Sequence, residues 1–240
     1  MRPIDLEHLG REHVICCWQV DDVLVDPGPE STIDTLLDAL GDEQPRALLL
    51  THIHFDHAGA AGALVREWPD VEVWVHERGA RHLVDPTRLV ASAKRLYGED
   101  FERLWGEVVP IPERSLRILR GGESRDGWDV AYTPGHASHH VSYRHSDSGW
   151  VFPGDTCGVR LPDGDLLLPR RRRPTSTSTP GARRSTRSRR GIRRPWRSRT
   201  SATTRTPAST WRGCARRSPA GASWLARLTR TPTRPRCATR

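Results

Sequence analysis

Three histidines and an aspartate crowd six consecutive positions: His52, His54, Asp56 and His57, in the stretch LLLTHIHFDHAGA. Imidazole nitrogens and carboxylate oxygens are the donors that zinc, iron and manganese sites use. In extended backbone, residues two apart point to the same side, so His52 and His54 can converge on one point. Asp56 and His57 follow after a turn and can face a second point nearby. A solvated loop with chance histidines would not place four such groups in this spacing directly after an apolar run. The pattern therefore predicts a metal site.

Such a site needs donors from elsewhere in the chain. YTPGHASHH places His136 in a Pro-Gly turn after WDVAY, which alternates as a strand does. GWVFPGDTCG places Asp155 in a second Pro-Gly turn after another short strand. Each is a polar residue at a strand end beside glycine, where backbone can approach a metal closely. Either turn alone is weak evidence; in this order after the first cluster, the two become strong.

The surrounding elements suit that task. RALLLTH is a short apolar run fit for a buried strand, and AGAAGALVREW, from Ala58, has the small and apolar residues of a helix start. The four polar residues thus fall on a turn between strand and helix. VICCWQVDDVLVDPGPE reads as two strands joined at Asp21-Asp22. STIDTLLDALG reads as a helix stopped by Gly41, and VEVWVHERG as a strand. RHLVDPTRLVASAKRLYGEDFERLWGEV is mostly helical and is placed to form a flap over the site.

On these motifs the sequence resembles the metallo-β-lactamase-fold hydrolases. The family signature H-x-H-x-D-H is met by His52, His54, Asp56 and His57, its third site-one histidine by His136, and its metal-bridging aspartate by Asp155. The resemblance covers about residues 10–169. It implies an α/β fold, the four-layer αββα sandwich, with two metal ions at one edge of the sheets, zinc first and iron or manganese as alternatives. Site one would use His52, His54 and His136; site two, Asp56 and His57; Asp155 would bridge them, and Asp56 would also orient the attacking water. An aspartate rather than a cysteine at position 155 points to the glyoxalase II-like and general hydrolase branches. Asp26, in VDPG, resembles an acid that supports the ligands; a turn aspartate before Pro-Gly explains it equally well. His139 and His140 lie close enough to contact the ligands or the substrate. His76, His82 and His145 read as ordinary residues, and Cys157, two residues after Asp155, as a contact behind the ligands or, more simply, a small buried residue. Cys16-Cys17 are adjacent in a strand and cannot face one ligand together.

Charge divides the chain. Residues 1–169 carry 16 Lys+Arg against 29 Asp+Glu, a balance of −13, whereas residues 170–240 carry 22 Arg and no acid; together they give the net +9. The second segment has Ile192, Leu225 and Leu228 as its large aliphatics, too few to offset the entropy of ordering, so disorder is expected there. A basic arm for nucleic acid is one explanation. The other is a shifted reading frame near Pro169, which puts the fold's closing elements out of reach and leaves the sandwich incomplete at the C-terminus. The family implies one more ligand histidine after the bridging aspartate, yet no histidine follows His145. If each true codon joins the last base of one codon to the first two of the next, a GC-rich gene gives an acidic, amphipathic helix start over Pro174–Ser178. Over Arg194–Ala202 it gives an apolar strand followed by His or Asp, encoded across the Arg199 and Thr200 codons.

Two metal ions about 3.5–4 Å apart can hold a water as hydroxide near neutral pH and polarise a carbonyl or phosphoryl oxygen. The expected activity is hydrolysis of a thioester, lactone or other ester, with a small-molecule substrate. Phosphodiesters, as for the nuclease branch, come second, disfavoured by the −13 balance. Iron-dependent persulfide dioxygenases share the ligand set, and a chain without the last ligand would be an inactive single-metal binder. No specific nucleic-acid partner is expected. MRPIDLEHLG reads as neither a signal peptide nor a membrane span, which makes the cytoplasm the expected location.

Overall fold

A computed structural model describes residues 1–157, together with the backbone of three two-residue strands at 159–160, 167–168 and 216–217. The expectations placed on residues 170–240 lie outside the described residues, apart from the strand at 216–217, whose backbone pairs with Trp150 and Val151.

Two sheets face each other. The first runs β1 (Arg2–Asp5), β2 (Cys16–Val20), β3 (Val23–Val25), β4 (Ala47–Leu49), β5 (Glu72–His76) and β6 (Leu116–Leu119), in that order. Its first three strands pair antiparallel, and β3 to β6 pair parallel. The second sheet holds β7 (Ser124–Arg125), β8 (Trp128–Tyr132), β9 (Val141–His145) and β10 (Trp150–Phe152), all antiparallel. Parallel strands need crossovers, and these are supplied by α1 (Ile33–Leu40), the short α2 (Phe55–Ala58) with α3 (Ala61–Glu67), and the run α4 (Glu77–Val84), α5 (Thr87–Tyr97) and α6 (Phe101–Trp105).

Alternation along the strands of the first sheet builds a core on each face. Val23 and Val25, Ala47 and Leu49, and Trp74 point into the space between the sheets, where they meet Trp128, Val130, Val141, Tyr143 and Phe152. Leu24, Leu48, Val73 and Val75 point the other way, onto Leu36 and Leu40 of α1, Leu64 and Val65 of α3, and Leu83 of α4. Because both faces are covered, β3 and β4 read as unbroken apolar runs. The described residues thus form three layers of the expected sandwich, helices, sheet and sheet; the outer helical layer expected on the second sheet lies outside them.

Two ties close the sheets together where β4 ends. The Tyr143 hydroxyl donates to the Leu50 carbonyl at 3.0 Å. The Val141 N–H donates to the Thr51 carbonyl at 2.8 Å. Both sheets therefore deliver their strand ends to one place, and the ligand-type residues leave from there.

Candidate metal centre

After β4 the chain bends at Thr51 and passes through His52 and Ile53 outside any regular element, and His54 is extended at φ −69°, ψ 151°. Helix α2 then starts at Phe55. Asp56 and His57 therefore sit on a short helix of their own, ahead of Ala58, where the sequence suggested that the helix starts. The shift has a simple origin: His54 occupies the residue before the helix, so its backbone carbonyl takes the first helical N–H groups, from His57 at 3.0 Å and Ala58 at 2.8 Å.

A loop from β3 holds this turn. Asp26 adopts a left-handed backbone, φ +52°, a conformation aspartate tolerates better than most residues. Its carboxylate is buried and accepts three hydrogen bonds: from the Thr51 N–H at 2.8 Å, the Thr51 hydroxyl at 2.7 Å and His57 Nδ1 at 2.9 Å. Gly28 adds backbone ties, its N–H to the His57 carbonyl at 3.1 Å and its carbonyl from the Ala60 N–H at 2.9 Å. Asp26 is thus both a turn residue and a hydrogen-bond partner of Thr51 and the ligand-type His57.

The same network sets the histidine tautomers. Thr51 Oγ1 spends its proton on Asp26, so at 3.1 Å from His52 Nδ1 it can only accept. His52 Nδ1 therefore carries the ring proton and Nε2 presents a lone pair. His57 donates Nδ1–H to Asp26 in the same way, leaving its Nε2 facing Asp155 Oδ1 at 3.4 Å and Asp56 Oδ2 at 3.6 Å.

Six residues named from the sequence meet here. His52, His54 and His136 offer one nitrogen each, all within 4.8 Å of one another, and His52, His57 and Asp155 form a second group within the same distance. His136 Nε2 lies 2.9 Å from His54 Nδ1 and 3.3 Å from Asp155 Oδ2. The expected site-one histidines are thus together, and Asp155 lies between His57 and His136. Asp56 is beside the second group, within reach of His57, but belongs to neither set of converging atoms. His52 belongs to both, a sharing the sequence reading did not anticipate.

The donor set fits a metal ion. His52 is fully buried, and its Nε2 has no hydrogen-bond partner among the described residues although it points at other donors. A buried polar atom left so is costly unless something satisfies it. Burial, then the neighbouring His57 and His54, push the His52 pKa well below its usual value. Burial likewise brings His54 down to about 4, partly opposed by Asp56. For His57 burial acts the same way, but the charges of Asp56 and Asp26, with hydrogen bonds that the ring donates to Asp155 and Asp26, outweigh it and hold the ring well above its usual value. His52 and His54 are thus kept neutral, the state in which imidazole binds metal, whereas a metal at His57 would have to displace a proton.

The remaining candidates divide. His140 is buried and accepts the Asp155 N–H through Nε2 at 3.1 Å. His139 lies near the cluster, its ring 5.8 Å from that of His54. His76 caps α4 by accepting the Arg78 N–H and stacks on Tyr132, and His145 packs on Trp128; both are structural, as expected. Cys157 is exposed, contrary to the buried residue expected, because the turn after Asp155 carries it outward. Thr51 and Gly154 were missed. A threonine ending the apolar run just before His52 was the available signal for the first.

The flap lies over α2. Phe55, between two ligand-type residues, packs edge-on to Phe101 at 5.5 Å and joins a small core with Ala93, Leu89, Val90 and Trp105. The segment from α5 to α6 is thereby anchored to the turn that carries Asp56 and His57.

Comparison with known proteins agrees with this arrangement. The profile of the metallo-beta-lactamase superfamily matches residues 21–197, most of the chain and some way into its arginine-rich stretch. The chain belongs to the metallo-beta-lactamase superfamily. Among curated relatives of this family, a hydroxyacylglutathione hydrolase of Legionella pneumophila (strain Lens) is 30% identical over 148 residues, which are 59% of this chain and 46% of that protein. The chain thus spans under half the length of the Legionella relatives it matches. Among solved structures, the archaeal superfamily protein ST1585 from Sulfolobus tokodaii superposes with a TM-score of 0.51 at 25% identity, covering 65% of this chain and 59% of that one. TTHA1623, crystallised in a di-iron-bound form, gives 0.50 at 29% identity, covering 67% of this chain and 73% of that one. Among the described residues, no helix is long and apolar enough to cross a membrane.

Proposed function

We propose that this superfamily member is a metal-dependent hydrolase acting on a small thioester, lactone or other ester. The observation that carries the reading is the pair of donor groups sharing His52, whose buried Nε2 points into them without a hydrogen-bond partner among the described residues. The names of relatives as hydroxyacylglutathione hydrolases support the thioester class. His52, His54 and His136 would hold one ion; His57 and Asp155, with Asp56 beside them, a second. When bound, the ions supply a water ionised near neutral pH and a Lewis acid for the carbonyl oxygen. Asp56 accepts a hydrogen bond from the attacking water and orients it. Asp26 and Thr51 keep the protons of His57 and His52 on Nδ1, so that each Nε2 remains a donor. The flap, held by Phe55, limits the access of bulk water. Zinc is the proposed metal; the di-iron form of TTHA1623 favours iron as a second reading.

The test is a panel of S-acyl thioesters, lactones and phosphodiesters, with the chain loaded in turn with zinc, iron and manganese. Thioester or lactone turnover that is lost with Asp56→Ala and His52→Ala supports the proposal. Turnover confined to phosphodiesters, or oxygen uptake by the iron form with persulfides, overturns it.

We further infer that the reading frame shifts near Pro169. The support is the change from a balance of −13 to 22 arginines without an acid, and the acidic helix and histidine-bearing strand that the alternative frame restores. Sequencing the gene through the codons for residues 160–210 tests this, and an uninterrupted frame as printed overturns it.

A further inference from the structure

The turn that carries Asp155 rests on a chain of polar groups from the second sheet. The Asp155 N–H donates to His140 Nε2 at 3.1 Å. An N–H can only donate, so Nε2 is the accepting nitrogen, and the ring proton is on Nδ1. Nδ1 lies 2.9 Å from the Thr133 hydroxyl, which accepts it. The Thr133 proton then goes to the Ser142 hydroxyl at 2.9 Å, and Ser142 donates to the Pro153 carbonyl at 3.4 Å. Each bond fixes the direction of the next, and the last acceptor lies in the same turn as Asp155. Thr133, His140 and Ser142 are all buried. A polar chain inside a core is costly unless every member is satisfied, and here each donor has an acceptor.

Gly154 completes the arrangement. Its backbone is left-handed, φ +52°, and a Cβ there would stand 2.5 Å from His140 Nε2 and 2.7 Å from Thr51 Oγ1. The bare glycine lets the turn seat between His140 and Thr51. Thr51 belongs to the Asp26 network, so the turn is hydrogen-bonded to the chain from the second sheet and packed against the one from the first.

We propose that His140 is a positioning residue that fixes the Asp155 backbone, so that the Asp155 carboxylate is presented to His57 on one side and His136 on the other. The assignment rests on the metal reading above. His140 acts through Asp155 and touches neither metal nor substrate, so its effect must disappear when the Asp155 carboxylate is absent.

The experiment uses the full chain with His140→Ala, His140→Gln, Asp155→Ala and the double variant His140→Ala/Asp155→Ala. Zinc affinity is measured by competition with a chromophoric chelator, and amide exchange at Asp155 is measured in metal-free protein. Loss of a group that orients a ligand lowers metal affinity about 10–100-fold, which is the expectation for His140→Ala. In the Asp155→Ala background the same change should cost less than about twofold, because groups acting as one unit are not additive. Gln at position 140 can accept the Asp155 N–H, so it should recover part of the affinity and the slow exchange at Asp155. Where His140→Ala does not fold, Thr133→Val removes the acceptor for Nδ1–H and must show the same dependence on Asp155. Additive losses, or parent affinity in a folded His140→Ala chain that still binds zinc, overturn the assignment. A parent chain that binds no zinc overturns the metal reading itself, and is told apart by the unsubstituted protein alone.

Discussion

Replacing Asp26 by Asn tests the hydrogen-bonded frame beneath the ligands. Asn keeps one oxygen, which can still accept the Thr51 N–H now bonded at 2.8 Å. Its amide nitrogen then stands where Oδ2 was, facing the Thr51 hydroxyl at 2.7 Å and His57 Nδ1 at 2.9 Å. Both groups donate to Oδ2 in the parent, and both would have to become acceptors. A neutral His57 can do so only by moving its proton to Nε2, the nitrogen that faces Asp155 at 3.4 Å. A ligand held in the wrong tautomer costs about 10–100-fold in metal affinity, or about 1.4–2.8 kcal/mol. Stability should also fall, by about 1–3 kcal/mol, since a Thr51 hydroxyl or His57 ring that keeps its proton toward the amide is a buried donor left unsatisfied. Ala at the same position orphans all three donors and should cost about 3–5 kcal/mol. Zinc competition titrations and chemical denaturation of the metal-free chains measure the two effects. The same amide turns the Thr51 hydroxyl proton toward His52 Nδ1 at 3.1 Å and so drives the His52 proton to Nε2, the atom shared by both donor groups. An Asp26→Asn chain with parent zinc affinity would show that these tautomers do not depend on Asp26, and the argument would fail.

Truncating Phe55 to Ala removes the flap's anchor and should cost about 3–5 kcal/mol, with faster hydrogen exchange across α5 and α6; unchanged exchange there would show that the flap is held elsewhere. Gly154→Ala places a Cβ against His140 and Thr51 and should weaken zinc binding together with stability, read by the same titration and by thermal melting; a neutral result would mean the turn shifts freely. The metal-free chain should lose stability in acid. Burial holds His52 well below the usual value, His54 at about 4 and His140 at about 3, whereas in the unfolded chain histidine titrates near ~6.5. The unfolded state therefore takes up protons first, so their contribution is complete above about pH 6.5 and is lost as pH falls toward 4 and below. His57, whose folded value is raised, has the opposite sign: its contribution is present below about pH 6.5 and lost as pH rises through the folded value, offsetting one of the three. Melting temperatures that stay flat from pH 7 to 4 in chelator-treated protein would contradict this. Shifting the frame after Pro169 should raise thioester or lactone turnover by orders of magnitude, and a repaired chain no better folded and no more active would refute the shift.

Much of the site was legible because ligand chemistry is local in sequence. His52 and His54 are two apart in the stretch after β4, and Asp56 and His57 follow within one turn, so their spacing already suggested that they lie near one another. His136 and Asp155 are distant in sequence, but each stands beside glycine at the end of a readable strand. The alternation in β3 to β5 was hidden, since Val23, Leu24 and Val25 are buried on both faces and read as one apolar run. The extra helical turn at Phe55 was not visible either. Phe55 is buried by the flap, a contact about forty-six positions away (Phe101), and nothing in FDHA itself announces it. The supporting residues were the least legible: Thr51 and His140 act through hydrogen bonds whose direction depends on tertiary contacts, and Gly154 matters only because Thr51 and His140 approach it together.

The central claim, that the histidine-aspartate cluster holds metal, is tested most directly by metal analysis of the purified chain beside His52→Ala after equilibration with zinc and removal of free ions. The account predicts bound zinc nearer one than two per chain in the parent, because the last site-two histidine is absent after His145. It also predicts near-complete loss in His52→Ala, since His52 Nε2 belongs to both donor groups. A folded parent without zinc, iron or manganese, or a His52→Ala chain that retains the parent's metal, would contradict it.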